Sequence, residues 1–160
     1  LLETTREIES QFERFEMHQL THSLHRFFWG DFCDWYVELT KPVLWDDDNP
    51  KAKAGAQQTL LQVLETLLKA THPIMPYITE ELWQEVGRQT GQTRTTVMLE
   101  SYPLASDFKE DTESEAAVEW LKGVIEGVRN IRGEANVKPR QEIALLLQGG
   151  TDDEAVAKAP

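Results

Sequence analysis

The chain has 160 residues and a formal net charge of −12, with 40% apolar and 28% charged residues, a composition that excludes disordered, collagenous and disulfide-scaffold classes. Its one cysteine, Cys33, rules out an internal disulfide and any cysteine-rich zinc site. So acidic a balance disfavours non-specific binding to nucleic acid or anionic membrane, which depends on summed positive field, and the longest unbroken apolar run, Ile143 to Leu147, falls far short of the ~20 residues a membrane helix needs.

In chain order, a short amphipathic helix is predicted around Leu2 to Phe15. From Leu20 the apolar positions Leu24, Phe27, Phe28, Phe32, Trp35 and Leu39 recur at steps of three and four. With Tyr36 they cover about half the helical circumference at roughly 100° per residue, too wide for a surface helix. This segment is therefore expected to be a central helix packed on more than one neighbour. Beyond Pro42, Asp46-Asp47-Asp48-Asn49-Pro50 reads as a solvated loop.

A second strong helix is predicted from about Lys53 to Thr71, with Leu60, Leu64 and Leu67 on one stripe and Leu61 and Leu68 beside it. Pro73 and Pro76 break it, because each removes an amide donor and restricts the residue before it. A shorter helix starts near Pro76 and carries Ile78, Leu82 and Val86 inward. Residues 87–106 read as a long connection with a candidate strand at Thr96–Leu99.

Thr112-Glu113-Ser114-Glu115 has capping-box spacing and opens the last long helix, whose apolar face is Val118, Leu121, Ile125, Val128 and Ile131. Pro139 stops it. Glu142 to Leu147 then reads as a strand ended by Gly149-Gly150, and Thr151-Asp152-Asp153-Glu154 as the acidic start of a further helix that the sequence leaves at Pro160. The expected fold is mainly α: a helical bundle over residues 1–136, then the start of a small α/β segment over 137–160. No signal peptide is visible at the first residues, and with the first methionine at Met17 the sequence reads as an excerpt of a longer protein.

Charge is unevenly spread. Asp107, Glu110, Asp111, Glu113, Glu115 and Glu119 crowd one stretch, whereas Arg129, Arg132, Lys138 and Arg140 stand within a dozen residues against Glu134 alone. A local basic patch can thus sit inside a global acidic balance.

His18, His22 and His25 share a helix face, and the first two have zinc-protease spacing, but Gln19 stands where a general-base Glu is needed. They read as a solvent-facing polar stripe opposite the apolar arc, with a small metallohydrolase as the remote alternative. Asp46, Asp47 and Asp48 lack the alternation and the distal Glu of a calcium loop. Cys33 reads as a small buried hydrophobe rather than a nucleophile. Neither a glycine-rich phosphate loop nor a Gly-x-Ser-x-Gly elbow occurs. No catalytic, cofactor-binding or metal-ligating set is predicted.

Asp31, Asp34, Glu38 and Lys41 recur at three, seven and ten residues, so they share one edge of the central helix, flanked by Trp35 and Phe27. Carboxylates this near a core must be paired or face a polar ligand. One reading is a set of interhelical ion pairs, with Arg129 and Arg132 as partners. The other is hydrogen bonding to an unstacked RNA base, whose amine or ring N–H a carboxylate accepts. Trp29, Phe32, Tyr36 and Trp83 could stack on bases, but at helical spacing they read as core.

The stretch Phe32-Cys33-Asp34-Trp35-Tyr36-Val37-Glu38-Leu39-Thr40-Lys41-Pro42 resembles the C-terminal region of the valyl-tRNA synthetases. His72-Pro73-Ile74-Met75-Pro76, continuing to Trp83, is similar to the His-Pro-x-Met-Pro segment of the class I anticodon-binding bundle, and Val128 to Pro139 to the segment that closes it. The resemblance covers nearly the whole chain. It implies the anticodon-binding helical bundle of a class I aminoacyl-tRNA synthetase, a non-catalytic module that grips the anticodon stem-loop of valine tRNA. The family's His-Ile-Gly-His and Lys-Met-Ser-Lys-Ser signatures are absent, so ATP, with magnesium, is expected to act on an upstream catalytic domain of the same chain. The bundle's first helix is expected upstream as well.

Carried over by position, Val37 and Glu38 are the expected base contacts and Lys41 a phosphate or base contact. Arg129, Arg132, Lys138 and Arg140 are expected backbone contacts or interhelical partners. The resemblance further implies a cytoplasmic, monomeric translation enzyme with no membrane attachment. Two alternatives remain open: the matching module of an isoleucyl- or leucyl-tRNA synthetase, and a helical scaffold that docks protein rather than RNA.

Overall fold

The computed structural model describes residues 1–138 and 141–146, and among these no strand forms. They divide into two compact units, Leu1–Lys109 and a second that begins at Glu110.

In the first unit, α1 (Leu2–Glu13) ends short of Phe15. Phe15 takes a left-handed backbone, φ 57°, and leaves its ring in solvent, an arrangement that costs a bulky residue and turns the chain sharply. After that turn α2 (Met17–Arg26) runs directly into an eleven-residue π-helical segment, Phe27–Val37, and then into α3 (Glu38–Trp45), with helical backbone at both junctions. The predicted central helix is thus real, but its middle is wound with i→i+5 bonds. Pro42 lies inside α3. The Thr40 hydroxyl sits 2.9 Å from the Tyr36 carbonyl and 3.0 Å from that of Val37, so it serves backbone acceptors where π winding gives way to α.

Helix α4 (Pro50–Thr71) starts earlier than Lys53 because Asn49 caps it, accepting from the Ala52 amide at 3.2 Å, and Pro50 occupies its first turn. It is the spine of the unit, touching three apolar clusters. Ala70 joins Ile8, Leu20 and Leu24; Leu67 joins Phe27 and Phe32; Leu68 joins Trp83 and Val97. The continuous helix 17–45 therefore packs on both α1 and α4, as its wide apolar arc requires.

Helix α5 (Pro76–Thr90) follows the proline break and ends at Gly91, whose φ of 69° suits glycine. Of the predicted inward residues, Val86 packs on the Trp83 cluster, but Ile78 and Leu82 do not face in. Ile78 and Leu82 are 52% and 43% exposed, while Thr79, Trp83 and Gly87 are buried. The indole fixes this rotation: its Nε1 donates to the Thr95 carbonyl at 2.9 Å and Arg94 lies over its ring at 4.3 Å. Gly87 permits the close approach, since a Cβ there would stand 2.9 Å from the Gln92 carbonyl oxygen and from Arg94 Cδ.

The candidate strand at Thr96–Leu99 is instead a 3₁₀ turn, Val97–Leu99. Glu80 on α5 accepts from the Thr96 hydroxyl at 2.8 Å and the Val97 amide at 3.0 Å, so these residues are held by a carboxylate rather than by a neighbouring strand. A second 3₁₀ turn, Ala105–Asp107, is tied to α1 by the Glu9 carboxylate, which accepts from the Ala105 amide at 2.7 Å.

The second unit contains α6 (Thr112–Glu134), capped one residue earlier than predicted: Asp111 accepts from the Ser114 amide at 3.0 Å and its hydroxyl at 2.7 Å. No residue of α6 is buried. It ends at Glu134, ahead of Pro139, which lies outside the described residues, as do Arg140, Leu147 and everything after it. Over 142–146 the expected strand does not form, for among the described residues no second extended segment pairs with it.

Candidate functional site

The polar edge predicted on the central helix exists where π winding gives way to α3. Glu38 is the first residue of α3 and is exposed; Lys41 stands one turn on, and its ammonium donates to the Glu38 carboxylate. The pair thus presents a carboxylate acceptor and an ammonium donor side by side at the surface. Asp31 and Asp34 are exposed further up the helix. Val37 faces the other way: it is half-buried and packs on the Phe27, Phe32 and Leu67 cluster, anchoring the edge that Glu38 displays.

Of the aromatic residues read as core, Phe32 and Trp83 are buried, and Tyr36 is half-buried with its ring stacked on Phe32 at 6.2 Å. Trp29 departs from that reading. It is 53% exposed, edge-on to Phe28 at 5.6 Å and near the His25 ring at 6.4 Å. On a wheel at roughly 100° per residue Trp29 falls beside His18 and His22, outside the apolar arc, so its position is the better guide and its aromatic character the misleading one. Cys33 packs with the same cluster as Val37, and burial, followed by the Asp34 charge, pushes its thiol up. This fits a packed hydrophobe. His18, His22 and His25 are exposed, as the polar-stripe reading expects.

In the second unit, Arg129 and Lys138 are exposed and Arg132 is half-buried. The Arg132 guanidinium donates to the carbonyls of Lys138 at 2.6 Å and Gln141 at 3.1 Å, drawing the chain back after the helix ends. Arg140 lies outside the described residues. The predicted residues therefore form two groups, Val37, Glu38 and Lys41 in one unit and Arg129, Arg132 and Lys138 in the other.

Chemically, the Glu38–Lys41 edge can satisfy a planar polar group that offers both an N–H and an acceptor. An exposed ion pair of this kind contributes about 0–1 kcal/mol, so exchanging it for a ligand costs little.

A family model described as the anticodon-binding domain of tRNA ligase matches residues 1–147. Among curated proteins, the chain is 45% identical over 154 residues to the valine–tRNA ligase of Xylella fastidiosa (strain M23), covering 95% of this chain and 15% of that protein. It is 44% identical over 154 residues to the corresponding protein of Xanthomonas axonopodis pv. citri, covering 94% and 16%. With that of Stenotrophomonas maltophilia it shares 43% identity over 157 residues, 98% of this chain and 17% of the relative. The chain thus spans roughly one sixth of the length of these relatives.

Proposed function

The chain belongs to the anticodon-binding domain family of tRNA ligases, and from that membership we propose that it reads the anticodon stem-loop of valine tRNA as part of a valine–tRNA ligase. The observation that carries the reading is the exposed Glu38–Lys41 pair at the π-to-α junction. It lies inside the Phe32–Pro42 stretch that resembles the valyl-tRNA synthetases. The Glu38 carboxylate accepts from the amine or ring N–H of an unstacked base, and Lys41 offers its charge to a phosphate or a base acceptor. Exposed Arg129 and Lys138 supply further backbone contacts, with Arg132 holding the segment that carries Lys138. Attachment of valine, driven by ATP with magnesium, belongs to a catalytic domain outside these residues, in a monomeric cytoplasmic enzyme.

Titrating this chain with a labelled valine-tRNA anticodon stem-loop tests the reading. The expected outcome is saturable binding that weakens by about tenfold or more when the anticodon bases are changed, since each base mismatch typically costs about 1–3 kcal/mol. Equal affinity for every anticodon, or tighter binding of an isoleucine or leucine anticodon, would overturn the valine assignment.

A further inference from the structure

An indole left in water forfeits the burial that drives folding. Trp29 is 53% exposed on the π-wound segment, whereas Trp83 is 4% exposed. Two neighbouring rings hold it in place. Phe28 meets it edge-on at 5.6 Å, with the ring planes at 77°, and the His25 ring stands at 6.4 Å. An indole so held offers π-surface to a flat ligand.

The π winding decides what the indole stands beside. At roughly 100° per residue an α-helix would put Glu38, nine residues on, about 180° away from Trp29. Bonds from i to i+5 instead of i to i+4 take roughly one more residue to each turn. The steps from Trp29 to Val37 are all π-wound, so the nine residues make close to two turns and bring Glu38 back to the side that carries Trp29. Exposure agrees. His18, His22, His25, Trp29, Asp34 and Glu38 are all exposed, at steps of four, three, four, five and four, and the step of five falls inside the π segment. With a rise of at most about 1.5 Å per residue, Trp29 and Glu38 lie within about 14 Å along the axis.

Charge selects which part of a ligand approaches the stripe. Asp34 and Glu38 are exposed along it in a chain that is −12 overall, so a phosphate backbone is repelled between the indole and the polar edge. An uncharged planar ring is not repelled, and stacking on an aromatic side chain accepts any base, because every base has a π-face. Unpaired loop bases can splay out onto such a surface, whereas bases in a duplex cannot. About 14 Å is the length of roughly four stacked nucleotides at about 3.4 Å each, so a base on Trp29 and a base on Glu38 can belong to one loop.

We infer that Trp29 is a stacking platform for an unpaired RNA base, a second contact on the helix stripe that ends in Glu38. The inference rests on the tRNA reading above but assigns the indole a different task. Glu38 accepts from one particular base, whereas Trp29 holds whichever base lies over it and so adds affinity without choosing the anticodon.

The experiment measures anisotropy of a labelled valine-tRNA anticodon stem-loop with this chain, Trp29→Ala and Trp29→Phe. Trp29→Ala should weaken binding about tenfold, the order of one stacked base. A stem-loop with altered anticodon bases should lose as much, so the ratio of the two affinities stays as it was. Trp29→Phe keeps an aromatic face and should lose no more than about threefold. Neither variant should change the slope of log affinity against log salt, because no phosphate contact is removed. Bound RNA should also quench part of the tryptophan emission of the unaltered chain, and that part should be missing from Trp29→Phe, an effect that a role confined to packing would not produce. Urea midpoints confirm that each variant folds, and the quenching of Trp29→Phe decides the matter if Trp29→Ala does not. Should the chain select the valine anticodon while Trp29→Ala keeps full affinity, or while Trp29→Phe is quenched as strongly as the unaltered chain, the stacking assignment alone is overturned. Should the unaltered chain fail to bind the stem-loop, both assignments fall.

Discussion

A carboxylate on an acidic protein repels phosphate, which makes Glu38 the most discriminating residue of the polar edge. It gains from RNA only by accepting from a base, whereas Lys41 gains from any phosphate nearby. In a valine–tRNA ligase carrying this chain, Glu38→Ala is therefore expected to lower tRNA charging by about tenfold, the cost of one base contact. Valine-dependent pyrophosphate exchange should stay unchanged, and so should the unfolding midpoint, because the Lys41 pair is exposed and contributes little. Equal loss of both activities would place Glu38 outside anticodon reading. That Glu38 and Lys41 share one helix edge was legible from their spacing. The buried hydrogen bond from Gln11 Nε2 to the Ser23 hydroxyl was not, because it joins residues twelve apart on two helices.

At the scale of elements, every long helix was visible in the apolar period, and the errors have local causes. The segment Phe27–Val37 is π-wound rather than α-helical, and Phe28, which the wheel puts in the middle of the apolar arc, is 38% exposed while Phe27 and Phe32 stay buried. On α5 the anchor is Trp83, whose partners at 94 and 95 lie beyond the helix. Aliphatic spacing alone points to Ile78 and Leu82, which are exposed. The misread strand at Thr96–Leu99 is governed by Glu80, sixteen and seventeen residues upstream of the groups it holds.

That clamp gives α5 a pH dependence. The Gln84 amide foremost, then the Thr96 hydroxyl and the Val97 amide, hold the Glu80 carboxyl below its ordinary value of 4.5, with desolvation opposing them. A depressed native pKa means that the stabilisation is complete above pH 4.5 and is lost as pH falls below it. Urea unfolding of Glu80→Gln should accordingly show lower stability than the unaltered chain at pH 7, and the difference should shrink on going down toward pH 3. A gap of constant size across that range would remove Glu80 from the acid response.

Considered as a whole, the molecule concentrates its burial. Among the described residues every buried residue lies between Leu2 and Pro103, most of the apolar ones in clusters joined by α4, while α6 has none. Residues 1–109 expressed alone are thus expected to unfold in one cooperative transition with a midpoint within a few degrees of the full chain. A shift of ten degrees or more would show that the second unit contributes to the core.

What amino-acid order determined by itself was the helical character, the positions of the proline breaks, the acidic balance and the Glu38–Lys41 edge, because each follows from periods and spacings within one turn or one segment. What only tertiary structure decided was the rotation of α5, the 3₁₀ turn under Glu80, the π winding of Phe27–Val37 and the buried hydrogen bond from Gln11 to Ser23. Those depend on hydrogen bonds and packing between residues far apart in the chain or on a winding the α period does not encode, and neither leaves a local signature.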